Sequence, residues 1–522
     1  MSKFLKGTLI LIAAGLVTRI LGFINRIVVA RMIGEEGVGL YMMAVPTLVL
    51  VITITQIGLP VAISKLVAEA EAMGDRKRTK KILVVSLSIT GTLSIIFFPA
   101  MIFLAPVLSE TLFTDSRTYY PLIAISPVVP IVAISSVIRG YFQGKQQMKP
   151  YAFSLLFEQI VRISLIVVFT KALLPYGIEY AAAGAMFSAV IGELASLIYL
   201  LLMFKIKKRI RIRRNFLKNV QSGKDTFVDL MRIAIPTTGS RLIGSLSWFF
   251  EPIVVSHSLA IAGVATALAT RQYGELTGYA LPLLMLPSFI TYSLSTSLVP
   301  AISEAAAQKQ SVLIEHRLQQ AIRLSLVTGG LVVVILFVFA SPIMQMIYGS
   351  SGSAIYIKVM APFFIFYYFQ SPLQAALQGL DLAKAAMINS LIGAIVKTVF
   401  IFLLASRPSL GIMGAALAIM TSIVLVTLLH FATIVKVVSL TIRIKEFLSV
   451  FFVIVFSGFA GNLLFTRVLT ALSDNEKTIV SVLGTIVIYV ILLLFLNLIK
   501  KEEVERIPLF GSFLSSLIPV KK

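Results

Sequence analysis

Read from its first residue, the chain is a succession of apolar runs of 20 residues or more, separated by short polar connections. About 20 apolar residues are needed to cross the hydrocarbon of a bilayer as a helix, and about ten for a tilted barrel strand, so runs of this length predict helices. The pattern predicts fourteen: near 8–33, 40–64, 82–104, 121–143, 150–174, 181–204, 233–256, 274–301, 324–348, 356–380, 385–405, 410–435, 446–467 and 479–499. The expected fold class is an all-α integral membrane protein. The amino-terminal stretch imitates a secretory leader, with Lys3 and Lys6 before an apolar run, but Arg19 interrupts that run. We read it as a retained first span.

Composition agrees and narrows the class. Of 522 residues, 58% are hydrophobic and 13% charged, about half the charged fraction of a soluble domain. There is no cysteine, which excludes disulfides and thiol chemistry, and three scattered histidines (His257, His316, His430) do not suggest a metal site. No phosphate-binding loop, HExxH or Gly-x-Ser-x-Gly motif is present, and the short loops hold no ATP-binding domain. The expectation is a protein without cofactor that is not an enzyme.

The net charge of +23 imitates a nucleic-acid signal until it is placed along the chain. Alternate connections, starting with the amino terminus and including 65–81, 205–232 and 500–522, hold 32 Lys and Arg residues. The opposite set holds only Arg117, Arg271, Arg407 and Lys477. Basic residues stay on the cytoplasmic side, so both termini are expected there, with the charge serving topology and anionic lipid rather than nucleic acid.

The chain repeats itself. Thr18-Arg19-Ile-Leu-Gly22 returns as Ser240-Arg241-Leu-Ile-Gly244, and Pro60-Val-Ala-Ile-Ser64 as Pro300-Ala-Ile-Ser303. Gln143-Gly144 matches Gln378-Gly379, Arg162 matches Lys397, and Gly177-Ile matches Gly411-Ile, all in the same order. This predicts two six-helix lobes, 1–204 and 233–435, joined by a basic linker at 205–232 and followed by two further spans and a tail at 436–522. An even number of spans per lobe makes the repeats parallel, with a pseudo-two-fold axis along the membrane normal. Transporters of this design hold substrate between their halves.

Ionisable groups at bilayer depth are costly and mark candidate function. The first span carries Arg19, Asn25, Arg26 and Arg31 without a carboxylate, and Arg19 and Arg26 fall within about 20° of one another around the helix. Arg31 is close enough to the span's end to snorkel. Arg19 is deeper and recurs as Arg241, which snorkelling does not explain. In the seventh span, Arg241, Ser245, Trp248 and Pro252 share a face, and Trp248 is the sole tryptophan. Three roles are open to Glu251: neutralising an arginine, carrying a proton, or touching substrate. Glu158 and Arg162 are spaced to pair along the fifth span. Glu193 and Lys397 are either a cross-helix pair or cavity-lining groups, and Arg271 and Glu275 sit at an outer rim. The excess of guanidinium in the first and seventh spans favours an anionic substrate, a phosphate or pyrophosphate gripped by Arg19, Arg26 and Arg241.

Thr18-Arg-Ile-Leu-Gly-Phe-Ile-Asn-Arg26 with Val-Ala-Arg-Met-Ile-Gly34 resembles the opening of the lipid II flippases of the multidrug/oligosaccharidyl-lipid/polysaccharide (MOP) exporter superfamily. Ile138-Arg-Gly-Tyr-Phe-Gln-Gly-Lys145, Ser247-Trp-Phe-Phe-Glu-Pro252, Gln272-Tyr-Gly-Glu-Leu-Thr-Gly278 and Leu286-Pro-Ser-Phe-Ile-Thr-Tyr292 are similar to the polysaccharide-synthesis branch of spore-forming bacteria. The resemblance implies a fourteen-helix flippase whose last two helices form a groove for a lipid tail. It also implies an undecaprenyl-pyrophosphate-linked saccharide as substrate, a link to spore cortex peptidoglycan, and cell-wall synthases as partners. Where those flippases place an Arg-Asp pair, this chain has Asn25-Arg26. Two other readings remain: a cation-coupled exporter of drugs or small molecules, and a non-transporting scaffold for a cell-wall synthase.

Overall fold

The structure is a computed structural model that describes residues 3–206, 216–438, 441 and 444–498. Most of the basic run after the sixth predicted span, and the tail from 499, lie outside the described residues. The described chain is helical and contains no strand. With no water in the hydrocarbon to serve the backbone, each span satisfies its own amides. Its hydroxyls do the same. Thr53, Ser88, Thr90 and Ser94 donate to the carbonyl four residues earlier, at 2.7–3.0 Å.

Two compact units emerge from the packing, Met1–Tyr279 with Thr398–Ala415, and Ala280–Lys397 with Ala416–Lys522. The first contains α1 (Lys3–Gln56), α2 (Leu59–Ala72), α3 (Arg76–Val107), α4 (Tyr119–Ile125), α5 (Val128–Gly144), α6 (Met148–Leu173), α7 (Ile178–Ile206), α8 (Phe216–Gln221), α9 (Lys224–Ile261) and α10 (Thr266–Gly274). The second contains α11 (Leu281–Met285), α12 (Ser288–Ala307), α13 (Ser311–Val338), α14 (Ala340–Tyr348), α15 (Ala354–Gly379), most of α16 (Ala383–Ala405) and of α17 (Ile412–Val435), α18 (Ile444–Leu463) and α19 (Asp474–Phe495).

All fourteen predicted segments fall on helix. Among the described residues, 11 helices are long and apolar enough to cross a membrane, or 12 if a bent pair counts as one span. The number is lower than fourteen because Ala13–Ala72 runs through two predicted spans as one interval. The proline-containing α15 is also absent from that set.

Helix boundaries follow local chemistry. Asp75 caps α3 by accepting from the Arg78 amide at 2.9 Å. Ser473 and Glu476 form a capping box that opens α19. Within α1 the helix is interrupted at Gly34, whose φ of 67° and ψ of −176° suit glycine alone.

The repeated motifs occupy equivalent places. α5 ends at Gly144 and α15 at Gly379, while α7 and α17 each follow a glycine of positive φ, Gly177 and Gly411. A Cβ on Gly144 would meet the Ser64 carbonyl at 2.6 Å, and one on Gly379 would meet the Val299 carbonyl at 3.0 Å. In each unit, therefore, the Gln-Gly helix end seats on the helix that bears the Pro-Ala-Ile-Ser motif. The apolar cores form around these seats, with Leu59, Ile63, Val137, Phe142 and Leu200 in the first unit. Leu298, Ile302, Leu373, Ala376 and Tyr489 do the same in the second. The outward faces keep large apolar side chains exposed, such as Phe451, Phe452 and Phe459 on α18, as lipid contact requires.

Candidate functional site

The first unit assembles three charged features. The first is arginine on α1 and α9, which pack on one another. Arg19, Arg26 and Arg241 are all exposed, although each lies well inside a long helix. Asn25, beside Arg26, is turned inward, and its Oδ1 is buried without a hydrogen-bond partner. Trp248 is half-buried and Glu251 is buried on the same helix as Arg241. An arginine exposed at bilayer depth faces either hydrocarbon, at a cost of several kcal/mol, or water. Three such groups in neighbouring helices favour water, and with it an anion.

A second feature joins α5, α6 and α7. Arg162 Nη2 donates to Glu158 Oε1 at 2.7 Å, the pair expected from their spacing. Arg139 Nη2 then lies 3.3 Å from Glu158 Oε2, 3.1 Å from Glu193 Oε1 and 2.9 Å from Ser196 Oγ. Glu193 thus takes its guanidinium from Arg139 on α5. That residue was not among the sequence candidates. Gly192 makes the approach possible, since a Cβ there would lie 2.8 Å from the Glu158 carbonyl and 3.1 Å from Arg162 Cβ.

The third lies beyond the break at Gly34. Arg117 bridges Asp115 Oδ2 at 2.9 Å and Glu36 Oε1 at 2.6 Å, and Thr270 Oγ1 donates to Asp115 Oδ2 at 2.7 Å. Burial works against the charge on Asp115, but the hydrogen bonds from Arg117 and Thr270 outweigh it and hold the carboxyl below the ordinary carboxylate range. Arg271 reaches Glu35 at 2.6 Å and Glu275 at 3.2 Å, so the two residues read as a rim pair also engage α1. Backbone meets backbone here: a Cβ on Gly274 would overlap the Glu35 carbonyl and lie 2.6 Å from the Gly39 amide nitrogen. Asp115, Glu35 and Glu36 carried no signal in the sequence, since their partners are up to 236 residues away.

In the second unit Lys397 is half-buried on α16. A cavity of about 310 Å³ there has Leu326, Phe366, Phe369 and Phe431 in its wall, together with Arg323 and Glu446.

The family model described as polysaccharide biosynthesis protein matches residues 4–306, more than half of the chain. The chain belongs to the polysaccharide biosynthesis protein family. A second model, MatE, matches residues 276–403. Within the family, the chain is 65% identical over 508 residues to stage V sporulation protein B of Bacillus subtilis, covering 97% of this chain and 98% of that protein. It is 27% identical over 417 residues to lipid II flippase MurJ of the same organism, covering 76% of each. Among solved structures, lipid II flippase MurJ in an inward closed conformation superimposes with a TM-score of 0.69 at 16% identity, over 93% of this chain and 98% of that one. An inward-facing multidrug resistance MATE family transporter of the MOP superfamily gives 0.64 at 17% identity, over 80% and 93%. The fold of this family member is therefore that of the MOP transporters. It is a multi-pass membrane protein, and the relatives it matches include one flippase and two sporulation proteins.

Proposed function

We propose that this chain is a flippase that moves an undecaprenyl-pyrophosphate-linked cell-wall precursor, of the lipid II type, from the inner to the outer leaflet by alternating access. The setting would be synthesis of spore cortex peptidoglycan. The observation that carries the reading is the exposure of Arg19, Arg26 and Arg241 within long helices that pack together. A guanidinium presents parallel donors matched to phosphate oxygens, and a pyrophosphate offers enough charge to engage several. Trp248 lines the path, and buried Glu251 offsets the arginine charge. The likeness to stage V sporulation protein B and to lipid II flippase MurJ supports the substrate class and the cortex setting.

Within this reading the two lobes of the sequence repeat, 1–204 and 233–435, enclose the site. Fourteen spans place both termini in the cytoplasm, the last two helices hold the polyprenyl tail, and cell-wall synthases receive the product. Alternation changes which side of the membrane the arginine site opens to, so the headgroup crosses without leaving a polar surface.

The test is transbilayer movement of a labelled undecaprenyl-pyrophosphate saccharide in liposomes containing the purified protein, compared with Arg19→Ala and Arg241→Ala. Movement by wild type and its loss in both folded variants supports the reading. Export of a cationic dye without lipid movement would replace it with a drug exporter, and neither activity would favour a scaffold.

A further inference from the structure

The charged cluster on α5, α6 and α7 has more to do than hold helices together. Arg139 meets Glu158, Glu193 and Ser196 through the single atom Nη2, which has two hydrogens for three acceptors. Its contacts to the carboxylates are 3.1–3.3 Å long, beyond the 2.7–2.9 Å typical of charge-assisted bonds, and none is a two-nitrogen fork. Arg139 Nε is buried without a partner, and Glu193 Oε1 has the ion contact to Arg139 at 3.1 Å but no well-directed hydrogen bond. The Glu193 side chain is only 4% exposed. Glu158 is better served, since Arg162 holds its other oxygen at 2.7 Å. Glu158 and Glu193 meet at Arg139 Nη2, at 3.3 Å and 3.1 Å.

A buried carboxylate that shares a single guanidinium nitrogen with a second buried carboxylate has one inexpensive way to complete its bonding, which is to take up a proton. We propose that Glu193 is a proton-binding group of the transport cycle, protonated and released once per turnover. The inference rests on the transport reading above. The step is a proton transfer: hydronium gives its proton to a Glu193 carboxylate oxygen, one hydronium O–H bond breaks to leave water, and the new O–H donates to the Glu158 carboxylate. Glu158 is then the one carboxylate left to Arg139, which keeps its hydrogen bond to Ser196, and α7 loses its ionic hold on α5. Protonation in this way loosens one helix of the first unit against another.

The charged and titratable groups around Glu193 come from each packed element. α5 brings Arg139, and α6 brings Glu158, Arg162 and Tyr151. α4 has no charged residue, only Tyr119 and Tyr120. On α1, Arg19, Arg26 and Arg31 are exposed, while Glu35 and Glu36 are engaged by Arg271 and Arg117.

Two measurements on the full-length protein test this. In lipid nanodiscs without substrate, infrared difference spectra on acidification should show a carboxylic-acid carbonyl band that Glu193→Gln removes and Glu193→Asp retains. A band unchanged in Glu193→Gln, or no band, would overturn the assignment and leave a static bridge. In liposomes with the membrane potential clamped, the steady-state distribution of the labelled pyrophosphate lipid should shift about tenfold per unit of imposed pH gradient for one proton per cycle. Glu193→Gln should abolish that dependence. Equal dependence in both proteins would also refute the inference. Should the chain move no lipid at all, the infrared result still decides the proton site, so the two readings fail separately.

Discussion

Gly274→Ala tests a close backbone approach in the first unit. The added methyl would overlap the Glu35 carbonyl and lie 2.6 Å from the Gly39 nitrogen and 2.9 Å from its Cα. All three are backbone atoms, so no side chain can rotate away, and α1 and α10 must part by about 1 Å. Overpacking of this kind costs about 1–3 kcal/mol. The separation also lengthens the contacts of Arg271 with Glu35 and of Thr270 with Asp115, now 2.6 Å and 2.7 Å. At roughly 2–4 °C per kcal/mol, and less in a longer chain, the expected fall in Tm is about 2–6 °C. The assay is thermal unfolding of the purified protein in detergent, with Gly91→Ala as the matched control. Gly91 lies inside α3 with nothing within 4 Å of an added Cβ, so that variant should be neutral or gain up to about 1 kcal/mol. If both variants melt within a degree of each other, the seat of α10 on α1 is not as close as described, and the reasoning fails.

Other outcomes follow from the same contacts. Arg139→Ala leaves two buried carboxylates facing one another and should destabilise by about 3–5 kcal/mol, read by thermal or denaturant unfolding, with Arg139→Lys recovering part of the loss. Asp115 is held below its ordinary value in the native state, so its contribution is present above the unfolded value near pH 4 and disappears as pH falls below it. The Tm gap between wild type and Asp115→Asn should therefore be widest near neutrality, correspond to about 1–3 kcal/mol, and close on acidification. Arg19→Ala and Arg241→Ala should each remove about 1.5–3 kcal/mol of binding to a pyrophosphate lipid, a factor of about 10–150 in affinity by titration, whereas Arg31→Ala should leave it unchanged.

Much of this protein was legible without coordinates because the bilayer imposes a one-dimensional rule. A span needs length and apolarity, both local properties, so every predicted segment lies on helix. Contacts made within one helix are equally local: Glu158 and Arg162, four residues apart, pair as their spacing requires. The repeated Gln-Gly and Pro-Ala-Ile-Ser motifs, seen first as matching strings, close equivalent seats in the two units.

Contacts between helices obey no such rule, and only the tertiary structure decided them. Arg139 collects Glu158 and Glu193 from 19 and 54 residues away. Arg117, counted among four basic residues of the sparse loops, reaches 81 residues back to Glu36. Hydropathy determines which segments lie in the membrane. The partner of each buried charge depends on which helix faces come together, and that is set by glycine-sized gaps and by ion pairs between residues far apart in the chain.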